Sequence, residues 1–288
     1  LTLDRWVHTW GANKGEDIND MTMDGAGNLE GVGHINVGDN NNDALILKFD
    51  RSGALIWARR WGGGGNDYAN AICLDSDGDL IVCGVSNSFG PSKGFVLSID
   101  QDAELNWQEQ WTTTESSDFH GVVLDPTGRL VLVGDSFTGS GKDAAVLVLD
   151  DTGAIVWQKS WAKDGNTETF NAVCTDSEGN IYAVGARFDN LSSNSFNALM
   201  AKFDSLGALS WDRQFDRLDQ DDVAETVAYN NSDGQLYIGG YTETTDSSVS
   251  GDALLLVADV GGTLSGRFHW GAANGQDVAD RIFIAGDG

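Results

Sequence analysis

The stretch Asp43–Gly84 decides the fold and reads DALILKFDRSGALIWARRWGGGGNDYANAICLDSDGDLIVCG. Most of the chain repeats it with a period of about 50 residues. The first marker of the repeat is a pair of positions four residues apart that hold every Trp: Trp6, Trp10, Trp57, Trp61, Trp107, Trp111, Trp157, Trp161, Trp211 and Trp270. The second is an Asp/Asn-x-x-Gly turn at Asp24–Gly27, Asp75–Gly78, Asp125–Gly128, Asp176–Gly179 and Asn231–Gly234. The third is an Asp-Ala or Asn-Ala pair that opens an apolar run at Asp43, Asp143, Asn197 and Asp252, with Gly94-Phe95 at this place in the second copy.

Each copy contains four short apolar runs separated by turns rich in Gly, Asp, Asn and Ser, which predicts four strands. In the second copy the predicted strands are Tyr68–Asp75, Asp79–Val85, Gly94–Asp100 and Glu104–Trp111. The runs are apolar on both faces, so each four-stranded antiparallel unit needs a like unit on either side. Radial repetition supplies these neighbours. The predicted fold is therefore an all-β β-propeller with one blade per repeat.

The number of blades stays open at this point. Five complete copies span about 17–61, 67–111, 118–161, 169–215 and 222–270 of a single domain, 1–288. Thr2–Trp10 is a spare fourth strand, and the partial copy 277–288 offers a spare first strand, Asp277–Ala285. A six-bladed ring, either continued past Gly288 or with a reduced last blade, is the preferred interpretation. The alternative is a five-bladed ring with a spare strand displaced or donated to a neighbour, because unpaired strand edges associate.

The repeat resembles a bacterial β-propeller repeat known as the SBBP type. The shared pattern is D-A-x-x-x-K-F-D-x-x-G-x-x-x-W followed by D-S-x-G-N-x-Y-x-x-G, and it is matched by Asp43–Trp57, Asp67–Gly84, Asp176–Gly185 and Asn197–Trp211. The resemblance covers nearly the whole chain. It implies a propeller of the kind common on secreted or surface-attached bacterial proteins, and it implies no catalytic activity and no functional residues.

Composition limits the partners. The chain has 17 Lys and Arg against 44 Asp and Glu, a net charge of −27, which argues against nucleic acid and anionic membranes as partners. No apolar run approaches the roughly 20 residues that span a bilayer. With no signal peptide or initiator Met, the chain reads as a mature product or an excised piece, and an extracellular or cell-surface location is expected. Cys73, Cys83 and Cys174 are read as buried small hydrophobes.

Two sets of polar positions are candidate sites on the loop-bearing face. An acid ends each loop before a first strand: Asp17, Asp67, Asp118, Glu168, Asp222 and Asp277. This ring either binds Ca²⁺, the only cofactor considered, or caps the turns through backbone N–H groups. A second ring lies five residues before the turn marker, at Asn19, Asn70, His120, Asn171, Thr226 and Asp280. It either lines a channel with water or binds a polar ligand, and no residue is assigned a catalytic role.

Other features have structural interpretations. Asp75-Ser-Asp77-Gly-Asp79 is a hairpin turn, being too short for an EF-hand. The Trp pairs are expected to pack against the next blade, and sugar stacking is the alternative. The long loops Asp189–Phe196 and Glu243–Gly251 are either mobile surface or contact surfaces.

Three functions follow from these features. The first is a non-enzymatic secreted or cell-surface module that binds a protein or glycan. The second is a metal-dependent hydrolase or lyase with an acidic site at the channel mouth. The third is a structural subunit that self-associates through its spare terminal strands. The absence of a recognisable catalytic set favours the first.

Overall fold

The structure is a computed structural model, and it describes residues 11, 15–39, 41–111, 116–137, 139, 141–163, 166–189, 195–216, 220–243, 251–271 and 277–284. In this part of the chain 20 strands form five four-stranded antiparallel sheets, and in each sheet the strands neighbour one another in chain order. This confirms the all-β class and the four-stranded repeat, and it is consistent with a β-propeller. The number of blades in a closed ring stays a prediction.

The chain divides into two compact units, Leu1–Leu124 and Asp125–Gly288. The first unit contains two whole sheets and one further strand: β1 Glu16–Met23, β2 Leu29–Gly38, β3 Asn41–Phe49, β4 Leu55–Trp61, β5 Asp67–Leu74, β6 Leu80–Ser86, β7 Lys93–Ile99, β8 Leu105–Gln110 and β9 Ser116–Leu124. Strands β5 to β8 are the second copy, and every boundary lies within one residue of the sequence prediction.

The second unit contains the remaining strands of the third sheet and the two sheets that follow. Their bounds are β10 Leu130–Phe137, β11 Lys142–Leu149, β12 Ile155–Trp161, β13 Thr167–Thr175, β14 Ile181–Asp189, β15 Ser195–Phe203, β16 Leu209–Phe215, β17 Asp222–Asn230, β18 Gln235–Thr242, β19 Asp252–Asp259 and β20 Leu264–Trp270. A single domain over residues 1–288 remains a prediction.

The hairpin turns depend on an Asp and a Gly. In the turn after β5, Asp75 Oδ1 accepts hydrogen bonds from the backbone N of Asp77 at 2.9 Å and of Asp79 at 2.8 Å. Gly78 closes this turn at φ 87°, where a side chain is disfavoured. The acids of this segment therefore satisfy backbone donors, which confirms the hairpin interpretation.

Two repeat markers lie one residue away from their predicted places. In the fifth copy the turn begins at Asn230 rather than Asn231, because Asn230 Oδ1 accepts the N–H of Ser232 at 2.9 Å and the loop is longer. In the second copy Trp111 N donates to Gly94 O at 2.8 Å, whereas Trp61 pairs with Ala44 in the first. The Asp-Ala position of that copy is therefore Lys93-Gly94, not Gly94-Phe95.

The core lies between consecutive sheets, because the first strand of each sheet packs against the sheet before it. In the first unit, Ile46 of the first sheet and Leu97 of the second share one apolar cluster, against which Trp57 and Trp61 pack. Trp57 Nε1 donates to the carbonyl of Gln101 in the second sheet at 3.2 Å. The predicted packing role of the Trp pairs is thus confirmed at this junction.

A buried ion cluster joins the first two sheets beside Trp57, whose strand partner is Lys48. Lys48 is 5% exposed, and its Nζ lies 3.1 Å from Asp24 Oδ2 and 3.1 Å from Glu30 Oε1. The same ammonium donates to the side chain of Gln101 in the second sheet. Burying a charge is costly unless it is paired, so these contacts are needed for Lys48 to lie here.

The predicted spare first strand at the C-terminus is wrong in part. In the described chain, residues 277–284 do not form a strand. They nevertheless lie on the fifth sheet, since Asp277 N donates to Gly251 O at 2.9 Å and Ala279 N to Gly240 O at 3.0 Å. The segment is placed like a first strand, and within the described residues no second strand lies beside it. The predicted strand Thr2–Trp10 lies outside the described residues.

The described residues include no helix long and apolar enough to cross a membrane. Cys73, Cys83 and Cys174 are free thiols. Burial raises the pKa of Cys73 to about 12, so this thiol stays protonated and packs as a small apolar group, as the sequence predicts.

Candidate functional site

The asparagines of the predicted polar ring hold consecutive sheets together. Asn19, Asn70 and Asn171 each stand at a β-bulge in the first strand of a sheet. Each side-chain amide donates to a backbone carbonyl in the next first strand: Asn19 to Ala69 at 2.9 Å, Asn70 to Phe119 at 2.8 Å and Asn171 to Ala224 at 3.1 Å. These amides are used for structure, and ligand binding by this ring stays a prediction.

Two positions of this ring differ from the asparagines. In the fifth copy the bulged residue is Glu225, while Thr226 is the next, buried residue, because the turn begins one residue earlier than predicted. Asp280 lies in the unpaired C-terminal segment and is exposed. His120 is half-buried at the corresponding place in β9.

The predicted acidic ring is not uniform. Asp67, Glu168 and Asp222 are fully buried, whereas the side chain of Asp17 is 74% exposed. Asp67, Glu168 and Asp222 stand three residues before their bulges, and by the same spacing the first and third copies have Glu16 and Ser117. The predicted ring residues Asp17 and Asp118 follow Glu16 and Ser117 by one residue, because the last acid of the loop stands one residue later in the first and third copies.

Asp67 closes its own loop. Its Oδ2 accepts the N–H of Gly63 at 3.0 Å and the hydroxyl of Ser88 at 2.6 Å. Its Oδ1 is buried and has no hydrogen-bond partner. The turn-capping interpretation is therefore correct for one carboxylate oxygen of Asp67, and the other oxygen is left as an unsatisfied acceptor.

Asp67 forms a pair with a second carboxylate, Asp43. A side chain on Gly62 would meet Asp67 Oδ2 at 2.3 Å and Asp43 Oδ1 at 3.2 Å, so both acids flank the same point of the backbone. Arg60 NH1 lies 3.5 Å from Asp43 Oδ2. The pKa of Asp43 is raised by burial and by the negative charge of Asp67, against the opposing effect of Arg60.

Asp43 stands in a solvent-open groove in the first unit. The groove has a volume of about 520 Å³ and is lined by Ile35, Asp43, Leu45, Ala58, Arg59, Arg60 and Gly62. The side chain of Asp43 is 15% exposed and that of Arg60 is 57% exposed. A carboxyl group with a raised pKa, a guanidinium and solvent therefore meet here, which is a combination suited to acid–base chemistry.

The same pair recurs in the second unit with other basic partners. At Gly271 a side chain would meet Asp252 Oδ1 at 2.3 Å and Asp277 Oδ2 at 3.0 Å. His269 Nδ1 lies 3.1 Å from Asp252 Oδ2, and His269 has the same repeat position as Arg60. The repeat therefore places paired acids at these two sheet junctions. The residues that line each junction determine the chemical environment of its pair.

Glu168 is the third member of this series. It is fully buried, and its Oε1 lies 3.2 Å from Arg187 Nε. Burial raises the pKa of Glu168 to about 7, and the negative charge of Asp143 adds to the rise, while Arg187 lowers it. A fully buried carboxyl cannot touch a substrate, so this pKa bears on stability.

The donor set does not fit the predicted Ca²⁺ ring. In the described part of the chain no three His, Cys, Asp or Glu residues lie close enough to hold a metal ion. At the Asp43–Asp67 pair, Arg60 already supplies positive charge 3.5 Å from Asp43. Ca²⁺ takes six to eight oxygen ligands, which this pair does not provide.

Sequence reasoning identified Asp67 but missed Asp43 as its partner. Asp43 opens the third repeat marker and Asp67 belongs to the acidic ring, and the recurrence of both positions in each copy was the available signal. Proximity across the sheet junction could not be derived, because it depends on the register between sheets. The role of Arg60 was missed because its repeat position holds different residue types in other copies.

No protein-family model matches the chain, and a search of curated proteins finds no relative. Among solved structures it is similar to the periplasmic gluconolactonase of Pseudomonas aeruginosa, with 14% identity, 93% of this chain and 88% of that chain covered and a TM-score of 0.49. A gluconolactonase of Xanthomonas campestris shows 16% identity over 77% and 68% of the two chains, with a TM-score of 0.45. The Pan2 WD40 domain of Neurospora crassa shows 13% identity over 84% and 75%, with a TM-score of 0.49.

These likenesses concern the fold and assign no activity to this chain. The similar structures are propellers, but they do not indicate the SBBP type specifically. They do correct one prediction, since structures named as gluconolactonases, which are enzymes, are among the neighbours. The interpretation as a non-enzymatic binding module, and with it the classification as a non-enzyme, is therefore withdrawn.

Proposed function

We propose that this chain is a hydrolase that cleaves an ester or lactone in the groove formed by Asp43, Arg59 and Arg60. The observation that supports it is the raised pKa of Asp43, in a solvent-open groove beside a second carboxylate and a guanidinium. A base of raised pKa removes a proton more readily than an ordinary carboxylate does. This proposal keeps the hydrolase part of the second sequence hypothesis and changes the site.

The reaction needs three contributions. Ionised Asp43 takes a proton from a water molecule, whose oxygen bonds to the carbonyl carbon of the substrate. The guanidinium of Arg60 stabilises the negative charge on the carbonyl oxygen. The bond to the leaving alkoxide then breaks, and that oxygen receives the proton from Asp43. Asp67 is a positioning residue, because its buried charge raises the pKa of Asp43.

No step is assigned to a metal ion, since the ligands of the Asp43–Asp67 pair do not fit one. An extracellular or cell-surface location and self-association through the terminal strands remain proposals that the site does not require.

The test is a panel of aryl esters, aliphatic esters, lactones and glycosides, with three variants compared with the parent. Asp43→Asn is expected to lower kcat/KM by at least about 100-fold, as for loss of a general base. Asp252→Asn changes the same repeat position in the fifth sheet and is expected to keep full activity. Asp67→Asn is expected to move the acidic limb of the pH–rate profile to lower pH. No turnover by folded protein, or full activity of Asp43→Asn, would refute the proposal.

A further inference from the structure

A second groove of the first unit is lined by aromatic and amide side chains. It has a volume of about 300 Å³ and is formed by Trp61, Phe89, Gln108, Glu109 and Gln110. Trp61 comes from the end of β4 and Phe89 from the loop after β6, while the other three residues are in β8. The groove thus lies at the junction of the first two sheets. Its size is at the lower end of the range for small-ligand sites.

The aromatic side is built as a supported platform. The Trp61 ring centroid lies 4.4 Å from that of Phe95 and 5.6 Å from that of Phe89. Phe95 is fully buried and fixes Trp61 from below, while Phe89 is 53% exposed. A large exposed aromatic side chain therefore lies beside a half-buried Trp, and part of this aromatic surface is open to solvent.

The opposite side offers hydrogen-bonding groups. Trp61 Nε1 donates to Gln108 Oε1 at 2.9 Å, which fixes Trp61 and uses the acceptor of this amide. Gln108 therefore keeps two N–H donors for a ligand, and Gln110, on the same face of β8, adds a donor and an acceptor beside it. Polar groups of both kinds, facing aromatic rings, match the hydroxyl edges and C–H faces of a sugar ring.

Two other copies of the repeat do not have this arrangement. Trp111 holds the Trp61 position in the second sheet, is 7% exposed and stacks on Phe119 at 5.2 Å. Phe215 holds it in the fourth sheet and is also 7% exposed, with Arg267 over its ring at 4.0 Å. At both places the ring is covered by the protein. Trp161 and Trp270 hold this position in the third and fifth sheets, where Trp161 is half-buried beside the buried Phe170 and Trp270 is 53% exposed. What distinguishes the junction of the first two sheets is therefore the exposed Phe89 beside its Trp, and such a departure from the repeat is expected of a site with a function.

We infer that the Trp61–Phe89 groove binds a neutral pyranose ring of a carbohydrate. The ring stacks its C–H face on Phe89 and the exposed part of Trp61, and its hydroxyls bond to the amides of Gln108 and Gln110, which share one face of β8. Glu109 and the net charge of −27 disfavour a uronic acid or sulfated sugar. This inference does not depend on hydrolysis at Asp43, because the two grooves share no lining residue.

The test is isothermal titration of folded protein with soluble neutral oligosaccharides of glucose, mannose, galactose and xylose, and with an oligogalacturonate. Binding of at least one neutral series, with quenching of Trp fluorescence, is expected. Phe89→Ala is expected to weaken it about tenfold, as for loss of one stacking partner. The control Phe137→Ala removes another exposed Phe, in β10, and is expected to bind as the parent does.

Several outcomes overturn the inference. One is no binding of any neutral sugar by folded protein, and another is equal affinity of Phe89→Ala and the parent. Preference for the oligogalacturonate also contradicts it. Asp43→Asn is expected to bind the sugar normally. A loss of hydrolysis in that variant with binding retained would separate the two proposals.

Discussion

Single residues show how this acidic chain places charge in its interior. Lys48 is buried between Asp24 and Glu30. Although burial raises the pKa of Asp24, hydrogen bonds from the side chain and backbone of Asn28, with a smaller contribution from Lys48, hold it well below its usual range. Burial raises the pKa of Glu30 instead, although Lys48 lowers it. The same ammonium thus lies beside one carboxyl of lowered pKa and one of raised pKa. The sequence does not show this, because Lys48 and Glu30 look like ordinary strand residues.

Removing Lys48 tests this cluster. Lys48→Met leaves Asp24 and Glu30 buried without a cation, so the free energy of unfolding in urea is expected to fall by about 3 kcal/mol. Lys202→Met is the matched control, because Lys202 holds the same repeat position but is half-buried over the ring of Tyr182. Its loss is expected to cost under about 1 kcal/mol. Equal losses of unfolding free energy in Lys48→Met and Lys202→Met would show that the loss comes from the repeat position and not from the ion cluster.

Glu168 predicts a pH dependence of stability. Its pKa in the folded protein is about 7, above the ordinary value of 4.5, so the folded state binds the proton more tightly than the unfolded state. Its contribution is therefore fully present below about pH 4.5 and is lost as the pH rises through about 7. Urea unfolding of Glu168→Gln and the parent between pH 5 and 8 measures it. The parent is expected to lose about 3 kcal/mol more than the variant over this range.

An equal slope in the two proteins would mean that Glu168 titrates normally in the folded state. Asp222→Asn, at the same repeat position, is a useful comparison because it also removes a buried carboxyl.

At the scale of elements, the strands could be predicted because local chemistry determines them. The contacts between sheets could not be predicted. The turn acids and glycines, such as Asp75 and Gly78, fix each hairpin from within, so strand boundaries were within one residue in the second copy. The Asp43–Asp67 pair depends on how one sheet lies on the next, which no local pattern encodes. Asp17 and Asp118 were assigned one residue too far because an acid next to the correct position looks the same in sequence.

The turn after β7 predicts a stabilising substitution. Ala103 has φ 67° at a place where Gly53, Gly153 and Gly207 have φ 84°. A non-Gly residue in this region costs about 1 kcal/mol, so Ala103→Gly is expected to raise the free energy of unfolding by about that much. Gly78→Ala is the reverse control, since Gly78 has φ 87° and open space around its Cα. It is expected to lose about 1 kcal/mol. Destabilisation by Ala103→Gly would contradict this.

For the whole molecule, the net charge of −27 is dispersed over every repeat, and the basic residues are used locally. Arg60, Arg187 and His269 each lie against one acid of a sheet junction. The repeat thus provides the same acidic position many times, and a single basic neighbour converts it into a structural ion pair or, beside the open groove at Asp43, into the pair for which we propose catalysis. Function in such a chain lies in departures from the repeat, not in the repeat itself.

This charge distribution predicts how the protein responds to cations. Self-repulsion of excess carboxylates is relieved by screening, so the Tm is expected to rise with NaCl up to about 1 M. Because the described acids form no group of three that could hold a metal, Ca²⁺ and Mg²⁺ at equal millimolar concentrations are expected to raise the Tm equally, and EDTA to reverse both. Thermal melts at fixed ionic strength measure this.

A saturable rise of the Tm with Ca²⁺ alone would contradict this prediction, because specific binding stabilises by mass action. Loss of that shift in Asp67→Asn but not in Asp222→Asn would then locate the ion at the Asp43–Asp67 pair and require a metal in the proposed hydrolysis.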